Sequence, residues 1–196
     1  MSTPLPQDAI AQLFTDAHSI HQFTSQPVTD DTLHQLYELL KWGPTAFNAQ
    51  PGRYVFVRSQ EAKQRLAPAL AAGNLDKTLA APVTVIIAQD SAFHEQLPTQ
   101  FPGYDARSLF VNNPGLLDPT AFRNSSLQGA YLIIAARALG LSVGAMSGFD
   151  AAKLDAEFFP DGKWKSNFLV NLGYAAPDAG FPRGPRLPFD EAARIL

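Results

Sequence analysis

The 196-residue chain is predicted to adopt an α+β fold, a small sheet lying between helices, on three observations. "APVTVIIAQD" (81–90) is a nearly continuous β-branched apolar run, as expected of a strand buried on both faces. Two stretches, 28–42 and 121–139, carry the pattern of long helices packed on a core. Shorter strand-like and helix-like runs recur along the rest of the chain, without internal repeats, low-complexity runs or a linker. The whole of 1–196 is therefore expected to form one domain with a sizeable core.

In chain order, 8–17 is a short helix with Ile10, Leu13 and Phe14 on one face. "VTDDTLHQLYELLKW" is a stronger helix. Thr29 or Asp30 can cap it, acidic residues fill its first turn, and Leu33, Leu36, Tyr37 and Leu40 recur at helical spacing. It stops at Trp42-Gly43-Pro44, and a strand is expected over 54–58, then a helix over 61–70 and the buried strand above. Residues 91–119, rich in Pro, Gly, Phe and Asn, read as a long ordered excursion with a little helix. The most apolar helix follows at 121–139 and ends at Gly140, with a short strand near 142–145. "FDAAKLDAEFF" gives a further helix, "SNFLVNLGYA" a strand, and "GFPRGPRLPFDEAARIL" a tail.

Composition narrows the function. Hydrophobic residues make up 46% and charged residues 17%, more apolar surface than a lone subunit is expected to leave exposed. A net charge of −3 gives no electrostatic reason to expect nucleic acid or an anionic membrane as partner. There is no cysteine, which removes thiolate chemistry and fits a reducing compartment. The N-terminus has no basic and apolar leader pattern, and no stretch approaches the roughly 20 apolar residues of a membrane helix, so a cytoplasmic setting is expected.

Several chemistries lack their signatures. Neither GxGxxG nor GxxxxGK occurs. The four histidines, His18, His21, His34 and His94, form no HExxH, and a zinc site around the His18–His21 pair would need further ligands, so no metal is expected. In "GAMSGF", Gly144 lies one residue too early for Ser147 to sit in a GxSxG elbow. An enzyme built from this chain would have a bound cofactor do the chemistry.

One connection is too polar to be only a turn. "KWGPTAFNAQPGRYVFVR" places Pro44, Thr45, Asn48, Gln50 and Pro51 between two core-forming elements, where two amides, a hydroxyl and a proline-stiffened backbone suit a polar ligand. Four further stretches stand in register with it: "DAHSIHQF" (16–23), "GNLDKTLAAPVTVIIA" (73–88), "LGLSVGAMSGFD" (139–150) and "RGPRLPF" (183–189). Over nearly its whole length the chain thus resembles the nitroreductase family of FMN-dependent oxidoreductases. It is most similar to the branch of RutE-type malonic semialdehyde reductases (3-hydroxypropionate dehydrogenases), with "KWGPT" and "AFRNSS" among the shared texture.

The resemblance implies a central mixed or antiparallel sheet flanked by helices, and an intertwined homodimer with two FMN sites at the subunit interface. It also implies reduction by NADH or NADPH and hydride transfer through flavin N5 to a small acceptor. The family's first motif, roughly Arg-Arg-Ser-x-Arg, binds the FMN phosphate and ribityl chain. Here Ser19 matches, while the basic positions fall on Ala17, His18 and His21. Histidine is neither always charged nor forked, so a weaker and more pH-dependent phosphate grip is implied. Pro44, Thr45 and Asn48 match the wall lent to the partner's flavin, and Asn74 and Lys77 match an Asn-x-x-Lys pair. The lysine there stabilises the reduced flavin's negative edge. Ser147 and Gly148 match the loop facing the flavin, and Arg183 and Arg186 the C-terminal phosphate cations. Lys77, Ser147 and Gly148 are therefore the expected catalytic positions.

By the same resemblance the acceptor is malonic semialdehyde, with Arg107 or Arg123 available for its carboxylate. An aromatic-lined pocket (Phe101, Tyr104, Phe110) would instead favour nitroaromatics or quinones, and the histidine-for-arginine changes leave room for a flavin-binding dimer without turnover.

Overall fold

The computed structural model describes residues 3–196. Helix α1 (Gln7–Ile10) runs directly into a wider π turn (Ala11–Thr15), so the single helix expected over 8–17 is split in two. Helix α2 (Asp30–Leu40) is capped by Thr29, whose Oγ1 accepts from the Thr32 N–H at 3.2 Å. Its Leu33, Leu36 and Leu40 are buried, while Tyr37 is exposed at the edge of the stripe. Strand β1 (Gly52–Val57) starts two residues before the expected Tyr54. Helix α3 (Gln60–Leu66), capped by Ser59, and helix α4 (Ala72–Ala80) lead to β2 (Val83–Asp90). The excursion holds α5 (Leu97–Gln100) and α6 (Ala106–Asn112). Helix α7 (Leu117–Ala138) begins four residues before its apolar pattern does. Then come β3 (Ser142–Met146), α8 (Ala151–Phe158), β4 (Trp164–Gly173) and a short α9 (Phe189–Ala192).

The sheet has order β1-β2-β4-β3 with every neighbouring pair antiparallel. Its only mixed character, among the described residues, is a parallel bridge from Ser19 to Val143 on the free edge of β3. The apolar run of β2 is explained by its place: Val83, Val85 and Ile87 join the cluster under α2 and α7, and Ile86 and Ala88 join the one under α3 and α8. A strand covered on both faces has no side left for polar alternation. The excursion has its own small core of Ala49, Phe93, Leu97, Ala106, Phe110 and Ala121.

One buried charge anchors the scaffold. Lys63 is 2% exposed, and its ammonium donates to the carbonyls of Thr78 and Leu79 (3.1 Å each) and of Ala81. These are carbonyls at or just past the end of α4, where a helix leaves acceptors unpaired and favours a cation. Burial nevertheless pushes the Lys63 pKa down to about 8.

Candidate functional site

The segment 17–21 is held along β3 by the Ile20 N–H, which donates to the Val143 carbonyl at 2.8 Å. The approach is possible because Gly144 has no side chain: a Cβ there would come closer than 3.0 Å to the Ile20 carbonyl oxygen. The C-terminal tail folds back over this segment. Arg183 Nη2 donates to the carbonyls of Thr15 (2.5 Å) and Ala17 (2.9 Å), and Phe181 meets His21 edge to face at 5.5 Å. The result is a cavity of about 400 Å³ walled by His18, Ser19, His21, Arg137, Arg183 and Arg186, with no carboxylate among its lining residues.

Its electrostatics are those of an anion site. Burial, and secondarily the charge of Lys77, hold the His21 pKa below the usual histidine value. Burial, and then the charge of Arg183, push the Arg137 pKa down as well. Arg186 turns its Nη1 to the carbonyls of Gly184 (2.9 Å) and Pro185 (3.2 Å).

A second group is clasped together nearby. Asn74 Nδ2 donates to the Gly148 carbonyl at 2.8 Å, and the Ala71 N–H donates to the same oxygen at 3.0 Å. A Cβ at Gly148 would lie 2.5 Å from Asn74 Nδ2, so any larger residue there would push the Asn74 amide off the Gly148 carbonyl. Ser147 is exposed, and its carbonyl accepts from the Phe149 N–H at 3.0 Å. Asn74 and Lys77, one turn apart on α4, share a helix face.

The third group is elsewhere. Pro44, Thr45 and Asn48 do not line the basic cavity of their own chain. Thr45 Oγ1 accepts from the Gln50 N–H (3.1 Å), and Asn48 Nδ2 donates to the Gln100 carbonyl (3.0 Å). Gln50 Nε2 bonds Asn48 Oδ1 (3.0 Å) and Gln100 Oε1 (2.9 Å), and the Ala46 N–H bonds buried Asn124 Oδ1 (2.8 Å). Phe47, Asn48 and Gln50 all adopt left-handed backbone, with φ of 52°, 51° and 43°. Such clustered non-glycine positions persist only where surrounding bonds over-determine them. The loop is thus tied to α5 and α7 rather than to the basic cavity.

Of the residues considered for an acceptor carboxylate, Arg107 is already paired. Its Nε and Nη2 hold both Glu95 oxygens at 3.0 and 3.1 Å, and this bond keeps the Glu95 carboxyl below the usual range. Arg123 is exposed on α7. Phe101 and Tyr104 are exposed, whereas Phe110 is buried in the core of the excursion. Sequence motifs missed Arg137, Gln100 and Asn124. Arg137 did leave a trace, being the only charged residue between Arg123 and Asp150.

Known proteins resemble this chain in sequence and in fold. A Rhodopseudomonas palustris protein, provisionally named an NADH dehydrogenase/NAD(P)H nitroreductase, is 60% identical over 196 residues, all of both chains. A nitroreductase so designated provisionally from Bacillus subtilis superposes with a TM-score of 0.88 at 24% identity, over 97% of this chain and 100% of its own. Another, from Exiguobacterium sibiricum and solved in complex with FMN, gives 0.82 at 20% identity over 100% of both. With residues 15–174 matching the pattern of the nitroreductase family and near-complete overlap with a 60%-identical relative, the chain belongs to the nitroreductase family.

Proposed function

We propose that the protein is an FMN-dependent NAD(P)H oxidoreductase that works as a homodimer. The observation that carries this reading is the carboxylate-free basic cavity of Ser19, His21, Arg183 and Arg186, whose His21 also feels the charge of Lys77. Converging cations without acidic partners fit a phosphate dianion, and the Asn74–Gly148 clasp fits a planar polar group approached closely by backbone. When bound, FMN would accept hydride from NADH or NADPH and deliver it to a small acceptor.

The chain's own residues have separate tasks in this reading. His18, Ser19, His21, Arg183 and Arg186 hold the phosphate and ribityl end. Lys77 supplies a fixed positive charge where negative charge collects on the ring, and Asn74 orients the 147–149 loop. Ser147 and Gly148 face the reacting side. Pro44, Thr45 and Asn48, distant from their own basic cavity, serve the cavity of the partner subunit. The exposed apolar residues Trp42, Phe122, Leu127 and Tyr131 support such a partner, since α2 and α7 together present a face that one subunit leaves in water. A single domain in the cytoplasm completes the reading. It is compatible with the lack of cysteine, and no helix among the described residues is long and apolar enough to cross a membrane.

For the acceptor we favour malonic semialdehyde, reduced to 3-hydroxypropionate. Its support is the sequence texture of "KWGPT" and "AFRNSS", and exposed Arg123, which has no side-chain partner among the described residues, is preferred to Arg107 as the carboxylate anchor. Nitroaromatics and quinones are the second reading, favoured by the exposed Phe101 and Tyr104, the latter continued by a stack on Phe47 at 6.0 Å. The test is anaerobic: the purified protein should be yellow and bleach with NADH or NADPH. A panel of aldehyde acids, nitro compounds and quinones should then reoxidise it at different rates. Protein that binds no flavin refutes the proposal. Faster reoxidation by nitro compounds than by any aldehyde acid would decide for the second reading.

A further inference from the structure

Arg137 belongs to no motif that recommends it, yet its surroundings are those of a ligand-binding residue. It stands in the last turn of α7, a 22-residue helix and the longest element among those described, so its backbone is fixed. The side chain is half-buried and contributes to two adjoining cavities, of about 400 and 440 Å³, whose shared wall is Ala17, His18 and Arg137. One arm of the guanidinium is committed: Nη1 donates to the Leu13 carbonyl at 2.8 Å. The Nε–H is buried and has no acceptor among the described residues. Asp16 lines the cavity of about 440 Å³ with it but forms no ion pair with it among the described residues, and Arg183 is near enough to repel it. A half-buried cation with an unpaired donor and a like charge for a neighbour is costly unless an anion completes it.

Its position also matches a deficit. The resemblance places arginines in the 17–21 segment, where this chain has Ala17, His18 and His21. Arg137 approaches the same segment from the helix beneath it. Arg183 and Arg186 lie in an exposed tail without helix or strand, whereas Arg137 is carried by a long helix.

We propose that Arg137 is a phosphate-binding residue of this site, the helix-borne cation that takes the part of the arginines missing from 17–21. The inference rests on the flavin reading above. Arg137 from the helix and Arg183 and Arg186 from the tail would hold the phosphate together, and His18 and His21 add charge only when protonated. Because Arg137 does not titrate near neutrality, it sets the affinity that persists at high pH.

The test compares FMN with riboflavin, which has the same ring and ribityl chain but no phosphate. Dissociation constants are measured by quenching of flavin fluorescence at pH 8 for wild type, Arg137→Gln and Arg137→Lys. Arg137→Gln should weaken FMN by about 10- to 100-fold, the range of a lost charge-assisted bond, and leave riboflavin within about twofold. Arg137→Lys, which keeps the charge but not the fork, should fall between. Riboflavin binding reports that each variant is folded, and should Arg137→Gln not fold, the milder Arg137→Lys decides by the same ratio. Equal weakening of both flavins, or none, would overturn the proposal and leave Arg137 as a tether for Leu13. Wild type that binds neither flavin would instead sink the flavin reading, and this proposal with it.

Discussion

Replacing Gly144 with alanine should dislodge the 17–21 segment without touching the ligand. The added Cβ would fall closer than 3.0 Å to the Ile20 carbonyl oxygen, a backbone atom that cannot rotate away. Ordinary contact starts at 3.4 Å, so the segment must retreat by on the order of 1 Å. The Ile20 N–H to Val143 bond, now 2.8 Å, would then open to about 3.8 Å and cease to be a hydrogen bond. One lost backbone bond plus the strain of overpacking comes to about 2 kcal/mol. At about 2–4 °C per kcal/mol for a chain of this size, Tm should drop by about 4–8 °C. Ser19 and His21 move with the segment, so FMN affinity should fall by about tenfold or more. Gly73→Ala is the control. A Cβ there meets nothing within 4 Å, and the site lies in α4, so the change should be neutral or stabilise by up to about 1 kcal/mol. Scanning calorimetry and flavin titration give both numbers. If Gly144→Ala matches Gly73→Ala in Tm and in FMN affinity, the segment is not seated on β3 as described.

Lys77→Ala should raise the His21 pKa by removing a charge that depresses it, and in the flavin-loaded protein should lower the reduction potential; an unmoved His21 resonance in an NMR titration would separate the two side chains. FMN affinity should be greatest at mildly acidic pH and decline as pH rises through the His21 pKa of the complex, since phosphate favours the protonated ring. A His18→Gln, His21→Gln double variant titrated from pH 5.5 to 9 should give a flatter curve, and parallel curves would exclude these histidines from the phosphate site. The ligand-free protein should behave oppositely. With the His21 pKa lowered on folding, the unfolded chain binds more protons below its ordinary value, so this residue's contribution to stability diminishes as pH drops below about 6.5, as urea melts across that range would show. Lys63→Met leaves the carbonyls of Thr78, Leu79 and Ala81 without their donor and should cost about 2–3 kcal/mol in urea unfolding, offset in part by removal of a buried charge; a loss under about 0.5 kcal/mol would mean water replaces the ammonium.

Local pattern alone determined much of this protein. The unbroken apolar run of β2 announced a strand covered on both faces, Thr29 and the leucine stripe marked α2, and Gly140 marked the end of α7, because periodicity and capping are properties of neighbouring residues. His18, Ser19, His21, Asn74 and Lys77 stood out only through the resemblance to a known family, not through local pattern. The tertiary structure alone decided what meets what. It alone bonded Arg137 to the Leu13 carbonyl across 124 residues, engaged Arg107 with Glu95, and sent Phe110 into a core. It also separated the 44–51 loop from the cavity of its own chain and tied it to Gln100 and Asn124. These outcomes depend on how elements far apart in sequence stack, and no local spacing encodes the distance between two side chains brought together only by the packing of a helix on a sheet edge.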